Sequence, residues 1–481
     1  MSYSATYYEA KVRRVWHLDH LRAVCTLLGA PWPNSPKRVL SVGCGTGVHL
    51  IPLACQYPET TFVGCDPEEE PLSRGLSFQQ SVGVTNLSFV AGTAAEVTGE
   101  PFDLIVVQGV YSWIHREQQD QLIGACAERL APDGVMLLTH NVAPGWTIRQ
   151  VIQQYLATVG ISPSHSLSGD DLQRAQDALA VFRDDINQDS AFGALMSAEI
   201  KRILGESTAY LRHEFLNPAT SGEALSAIVE RLTSHGFFYL GDARYSRNPL
   251  EDHRNNRVIS STARDFQRGI PYRESLFTRR APDERFSPPT EASLSLLSYG
   301  TILTEDEQCP GDFRDPAGRE FTFNTDHLSC LLLNTLSRAW PRFIPWRELC
   351  ETVRAPEHTV VPSILDLLAS ELITIAKEPP HYTSSSSTVT APPWLGWELS
   401  NSSQLTNRLY EPVGLGGFEE MLLTTIVGGL TSVEGLIRLT ATQISRSPEH
   451  RTLPPGVIAD TVREGLRTLA RAGLLHEIVE D

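Results

Sequence analysis

The stretch VLSVGCGTGVHL, residues 39–50, decides the fold: an apolar run stops at Gly43, turns through glycines at every second position, and resumes as an apolar segment with helical spacing. A strand fed into a helix through such a turn is the opening unit of a parallel sheet. The spacing Gly43-x-Gly45-x-Gly47 also narrows the ligand. A dinucleotide turn places its third glycine one residue later, inside the helix, and a Walker loop needs a Lys-Ser/Thr pair after its glycines. Neither is present.

Outward from this turn, strand and helix signals alternate. Val39–Gly43, Thr61–Cys65, Leu87–Ala91, Phe102–Gln108 and Val135–His140 read as strands; Val48–Gln56, Glu69–Ser81 and Glu117–Leu130 read as helices. This predicts a parallel sheet covered by helices on both faces, with its ligand outside the carboxyl ends of the strands. Asp66, at the end of the second strand, stands 19 residues past Gly47. A carboxylate there accepts both hydroxyls of a ribose.

Composition bounds the classes. The 481 residues hold 41% hydrophobic side chains and carry a net charge of −17, enough chain for two to four domains. From Ala281 onward there are 15 Lys+Arg against 27 Asp+Glu, which argues against a nucleic-acid backbone as partner. The eight cysteines contain no C-x-x-C pair, so they read as reduced thiols, with no zinc site or disulfide framework. No metal-ligating cluster is visible. No apolar stretch is long enough to span a membrane, and MSYSATYYEAKVRR lacks the apolar core of a signal peptide, so the chain reads as cytoplasmic.

FDLIVVQGVYSWI (102–114) and GVMLLTHNVAPGW (134–146) bring polar and aromatic groups to the carboxyl ends of the fourth and fifth strands. With the glycine turn and Asp66, they make the sequence resemble the class I S-adenosylmethionine-dependent methyltransferases. YLRHEFL (210–216), GFFYLGDA (236–243) and LTNRLYEPVGL (405–415) sharpen the resemblance to bacterial methyltransferases carrying a methyltransferase regulatory domain, a family that includes protein lysine methyltransferases acting on outer-membrane proteins. The resemblance implies a Rossmann-like α/β sheet and S-adenosylmethionine as cofactor. It assigns Ser41, Gly43, Cys44, Gly45, Gly47, Asp66, Thr93 and Gln108 to cofactor binding. Ser41 stands where the family usually has an acid, Thr93 where an Asp is common, and His140 and Ala143 where Tyr is common.

For the acceptor, Tyr111 and Trp113 suit an aromatic pocket that lowers a lysine pKa by desolvation and favours a cation through the ring quadrupole. His140 and Asn141 could orient the acceptor or relay its proton, though structural roles are equally open. Tyr7 and Tyr8 could cap the cofactor, and His213 and Glu214 match the family's His-Glu pair on a lid. The expected activity is methyl transfer to lysine side chains of a protein. The alternatives are a small-molecule O- or N-methyltransferase and a non-catalytic, cofactor-sensing interaction protein.

These signals divide the chain into an amino-terminal helical cap at 1–36, the cofactor-binding core at 37–146, a helical insertion acting as a lid at 147–233, and the end of the catalytic sheet at 234–285. Residues 286–390 and 391–481 form two carboxyl-terminal subdomains. Helical spacing at Ile148, Val151, Ile152 and Tyr155 supports the insertion, and Phe237–Ala243 and Tyr272–Arg279 supply the last two strands. TDHLSCLLLNTLSRAWPRFIPWRELC and EEMLLTTIVGGLTSVEGLIRL each open a run of helix, turn, helix, helix and short strand. The mainly α carboxyl-terminal region therefore reads as a duplicated winged-helix-like unit. Its acidity predicts protein docking or a homodimer rather than DNA binding.

Overall fold

The computed structural model describes residues 12–30, 32, 36–164, 167–248, 256–282, 287–306, 308–402, 404–445 and 454–479. Tyr7 and Tyr8 lie outside them.

The catalytic region alternates as its pattern predicts. In chain order it contains α1 (Leu18–Leu27), β1 (Arg38–Val42), α2 (Leu50–Gln56), β2 (Thr61–Asp66), α3 (Glu69–Val82), β3 (Leu87–Ala91), β4 (Phe102–Val107), α4 (Arg116–Arg129) and β5 (Leu130–Asn141). Then come α5 (Gly145–Thr158), α6 (Gly169–Asp185), α7 (Ala191–Leu204), α8 (Thr208–Phe215), α9 (Leu225–Ser234), β6 (Phe238–Asp242), α10 (Arg257–Arg268) and β7 (Tyr272–Thr278). The central strands β1 and β4 are short apolar runs buried on both faces, as a helix-covered parallel sheet requires. Helix ends carry their own signals. α3 opens on Glu69 and Glu70 and stops at Gly83 in the left-handed region, and α10 opens on the Asn256 cap and stops at Gly269.

The seven strands lie in the order β3-β2-β1-β4-β5-β7-β6. β1 to β5 are parallel, while β7 runs antiparallel between β5 and β6. This Rossmann-like topology puts the amino end of β7, at Tyr272, beside the carboxyl end of β5, at Asn141.

Each sheet face has its own core. Leu40, Val42, Ile105, Val107, Met136, Leu138 and Phe277 pack with Ile123 and Cys126 of α4 and with Leu225, Ile228, Val229 and Leu232 of α9. α9 is thus a layer helix of the sheet, and the insertion proper comprises α5 to α8. These four close on a separate core that includes Ile152, Leu156, Leu172, Leu179, Met196, Ile200 and Phe215.

The other face, with Val39, Leu104, Val135, Leu137 and Leu276, shares one continuous core with α1 and with Leu332, Leu336, Leu349, Ile364, Leu422 and Leu466 of the carboxyl-terminal region. The apolar helical stripes of the carboxyl-terminal region bury against the catalytic region. Polar ties fix the contact: Arg22 donates to both carboxylate oxygens of Glu378 at 2.8 and 2.9 Å, and the Asp19 carboxylate accepts the backbone N–H groups of Lys377 and Glu378.

Within that region, helices Leu328–Ala339, Trp346–Val353 and Glu357–Ala369 lead into strand Thr374–Ala376. Helices Gly417–Val427, Val433–Ser445 and Pro455–Arg471 lead into strand Glu477–Val479. The helical order recurs, but the strand pairing does not. Ser298–Gly300 pairs antiparallel with Thr374–Ala376, whereas Thr383–Ser385 pairs parallel with Glu477–Val479.

Candidate active site

The glycine turn follows β1 at the carboxyl edge of the sheet. Gly43, Gly45 and Gly47 all adopt positive φ, at 71°, 54° and 66°, yet their missing side chains serve different ends. A β-carbon on Gly43 would lie 2.1 Å from Val110 and one on Gly47 would lie 2.1 Å from the ring of Phe89, so these two permit close packing. A β-carbon on Gly45 would meet nothing within 4 Å: this position faces open space. The Gly45 N–H donates to Asp66 Oδ2 at 2.8 Å, and the Glu68 N–H donates to Asp66 Oδ1 at 3.1 Å. Burial raises the Asp66 carboxyl above its ordinary value, and these two N–H groups oppose that rise. The turn therefore presents an open cradle beside a carboxylate.

The neighbouring positions complete it. Gln108, just past β4, keeps a buried Oε1 with no hydrogen-bond partner, an acceptor available to a ligand amine or hydroxyl. Cys44 is buried, with its N–H donating to the Cys65 carbonyl. Thr93, after β3, is exposed, and its hydroxyl donates to Glu96 at 2.5 Å. Ser41 is buried with its Oγ 3.5 Å from His49 Nε2. Burial lowers His49 to about 4, so a neutral pair occupies the place of the usual acid.

Toward the acceptor side the structure corrects two assignments. Tyr111 is 2% exposed and belongs to the apolar core beneath the sheet. Its hydroxyl accepts from Arg231, which also bonds Gln119 and Glu223, so it is no pocket wall. His140 is fully buried, with Nε2 2.8 Å from Ser275 Oγ, and desolvation together with the Arg273 charge lowers it to about 3. It is a neutral interior histidine with no access to an acceptor. The reason is strand alternation: His140 follows Met136 and Leu138 onto the core face.

Trp113 is half-buried on the short turn after β4, and its carbonyl accepts from Asn217 at 3.3 Å. Asn141 is buried, with Nδ2 donating to the Ser221 carbonyl and its N–H to Ser112 Oγ. These bonds tie the β4 turn, the end of β5 and the segment after α8 into one rim. His213 is half-buried and Glu214 buried, both on α8. Burial pushes the Glu214 carboxyl up to about 7, while Arg149, Arg202 and Arg13 oppose it.

Sequence reasoning missed Thr139, Tyr272, Glu274 and Arg13. Thr139 Oγ1 accepts the Gly109 N–H at 2.9 Å, pinning the β4 turn to β5. Desolvation raises the Tyr272 phenol, with the charges of Glu274 and Glu214 adding to the rise and Arg13 opposing it. Arg13 lies 3.7 Å from Glu274 and 6.0 Å from the Tyr272 ring centroid. The available signal was direction: a last strand running antiparallel brings its first residue, not its last, to the ligand edge.

The sheet order, the open glycine cradle and the carboxylate opposite it agree with a match of residues 39–134 to the family described as a methyltransferase domain. They define a class I S-adenosylmethionine-dependent methyltransferase. Over its length the fold is that of PKMT2 from Rickettsia typhi: the TM-score is 0.83 at 18% identity, with 97% of this chain and 100% of that chain covered. PKMT2 in complex with AdoHcy superposes with a TM-score of 0.81 at 18% identity, over 98% and 100% of the two chains. The protein RP028 of Rickettsia prowazekii is 27% identical over 222 residues, covering 45% of this chain and 88% of that protein. Among the described residues no helix is long and apolar enough to cross a membrane.

Proposed function

We propose that this chain transfers methyl groups from S-adenosylmethionine to lysine side chains of a protein. The observation that carries the reading is Glu214. It is a buried carboxylate, raised to about 7 by its surroundings, and its charge bears on Tyr272 at the carboxyl edge of the sheet. A lysine needs an anion to draw its ammonium in and a base to take its proton before attack. A carboxylate that titrates near neutrality serves both ends. The likeness to PKMT2 over nearly the whole chain and the resemblance to the lysine methyltransferase family support the same acceptor.

S-adenosylmethionine supplies the methyl group on a sulfonium. In this reading Asp66 holds the ribose hydroxyls, the side-chain-free Gly45 leaves room beside it, and Gln108 Oε1 accepts from the cofactor. Trp113 and Tyr272 orient the amine and exclude water, and proximity and alignment carry most of the rate. Glu214 takes the ammonium proton. The amine so freed would be the nucleophile for the methyl group that S-adenosylmethionine supplies, and the proton would pass from Glu214 to solvent.

The test is kinetic. Glu214→Gln is expected to lower kcat on a protein acceptor about 100-fold or more, within the usual range for a lost general base, with the Kd for AdoHcy unchanged. Trp113→Ala is expected to raise KM for the acceptor alone. Activity retained in Glu214→Gln would remove the proposed base.

A further inference from the structure

The motif LTNRLYEPVGL lies far from the cofactor turn in sequence, yet it touches it. Tyr410 is fully buried, and its hydroxyl donates to the backbone carbonyl of His49 at 2.8 Å. His49 follows Gly47 by two residues and immediately precedes α2; the same residue packs its ring against Ser41. The phenol thus holds the junction between the glycine turn and its helix.

Tyr410 is itself mounted rigidly. Among the described residues it is one of three non-glycine residues with positive φ, at 63°, a conformation that a side chain with a β-carbon adopts only when its surroundings impose it. Asn407 imposes it. Its Oδ1 accepts the N–H groups of Leu409 and Glu411, and its Nδ2 donates to the Ala472 carbonyl at the end of the last helix. The Arg408 N–H donates to the Gly473 carbonyl. A second tie reaches the next cofactor-side helix: Trp397 stacks on Phe78 of α3 with ring centroids 4.0 Å apart, and Arg74 of α3 donates to the Asn401 carbonyl. Segment 394–411 therefore grips α2 and α3, the two helices that begin directly after the glycine turn and after Asp66.

We propose that Tyr410 is a positioning residue for cofactor binding: its bond to the His49 carbonyl fixes the glycine turn, so that the carboxyl-terminal region forms part of the S-adenosylmethionine site. The inference rests on the cofactor site at residues 43–47 and 66. It gives the carboxyl-terminal region a role in the reaction besides any in recruiting a substrate.

The experiment compares two single-atom deletions in the full chain. Tyr410→Phe and Tyr299→Phe each remove one buried phenol-to-carbonyl bond, since the Tyr299 hydroxyl donates to the Leu294 carbonyl at 2.8 Å; only the first bond meets the cofactor turn. Calorimetry with AdoHcy is expected to show Kd raised about fivefold in Tyr410→Phe, the worth of one buried hydrogen bond, and unchanged in Tyr299→Phe. KM for the acceptor stays constant in both. Trp397→Leu, which loosens α3 instead, is expected to raise the same Kd about threefold. Equal affinity in Tyr410→Phe and wild type overturns the proposal, as does equal weakening in Tyr410→Phe and Tyr299→Phe. A wild-type chain that does not bind AdoHcy would break the cofactor assignment itself, a result distinct from either.

Discussion

The lid and the carboxyl-terminal region are both helical additions to one sheet, and they are attached in opposite ways. The lid closes on its own apolar cluster and meets the sheet through a rim of hydrogen bonds at Trp113, Asn141 and Ser221. The carboxyl-terminal region has no such independence, because its helices complete the core of one sheet face. An element with its own core can loosen without unfolding its neighbour, and one that shares a core cannot. The helical insertion is therefore the part that can loosen while the sheet stays folded. The carboxyl-terminal region is part of the folded enzyme.

The largest expected effect breaks the comparison if it is wrong. A chain ending at residue 285 should lose its cooperative thermal transition, because it exposes the apolar face that Leu332, Leu336 and Leu422 cover. A truncated chain that melts cooperatively would make the region a separable module.

A matched pair of core substitutions sharpens it. Leu179→Ala in the lid and Leu336→Ala in the carboxyl-terminal region each remove a fully buried leucine and should each cost about 2–5 kcal/mol. Hydrogen exchange should place the first loss within α5 to α8 only, and the second across the sheet as well.

Glu214 separates the lid by pH. Folding raises its carboxyl from 4.5 to about 7, so the folded lid binds the proton more tightly than the unfolded lid does. Lid stability is then fullest below pH 4.5 and falls as pH rises through 7, by about 3 kcal/mol in all. Glu214→Gln should flatten that dependence in lid hydrogen exchange.

The smallest effect leaves both additions intact. Asp66→Ala removes the proposed ribose acceptor and should weaken AdoHcy binding tenfold or more, about 1.5–3 kcal/mol, in a variant that still melts cooperatively. Calorimetry on the folded variant reads it directly.

What the sequence made legible follows from how local each signal is. The glycine turn and the apolar runs that alternate with helical spacing are written in contiguous residues, so the parallel sheet and the cofactor turn are legible in the residues themselves. Glu214 was legible as a residue through resemblance, but its burial was not. His140 misled because alternation along a strand decides which face a side chain joins, and one position separates a cleft residue from a core one; Tyr111 misled because the turn after β4 folds its ring inward, where Arg231 meets its hydroxyl. Tyr272 was hidden by strand direction. Tyr410 sits 361 residues from His49, and no periodicity carries a contact that long.

In the proposed reaction methyl groups pass from S-adenosylmethionine to lysine side chains of a protein. The direct measurement incubates the full chain with methyl-labelled S-adenosylmethionine and two acceptor pools, bacterial outer-membrane protein and extracted metabolites, and locates the label by mass spectrometry. Label is expected on lysine side chains of protein, reduced by Asp66→Ala when S-adenosylmethionine is held below the raised Kd and reduced about 100-fold or more by Glu214→Gln. Label confined to a small metabolite, with none on protein, would contradict it.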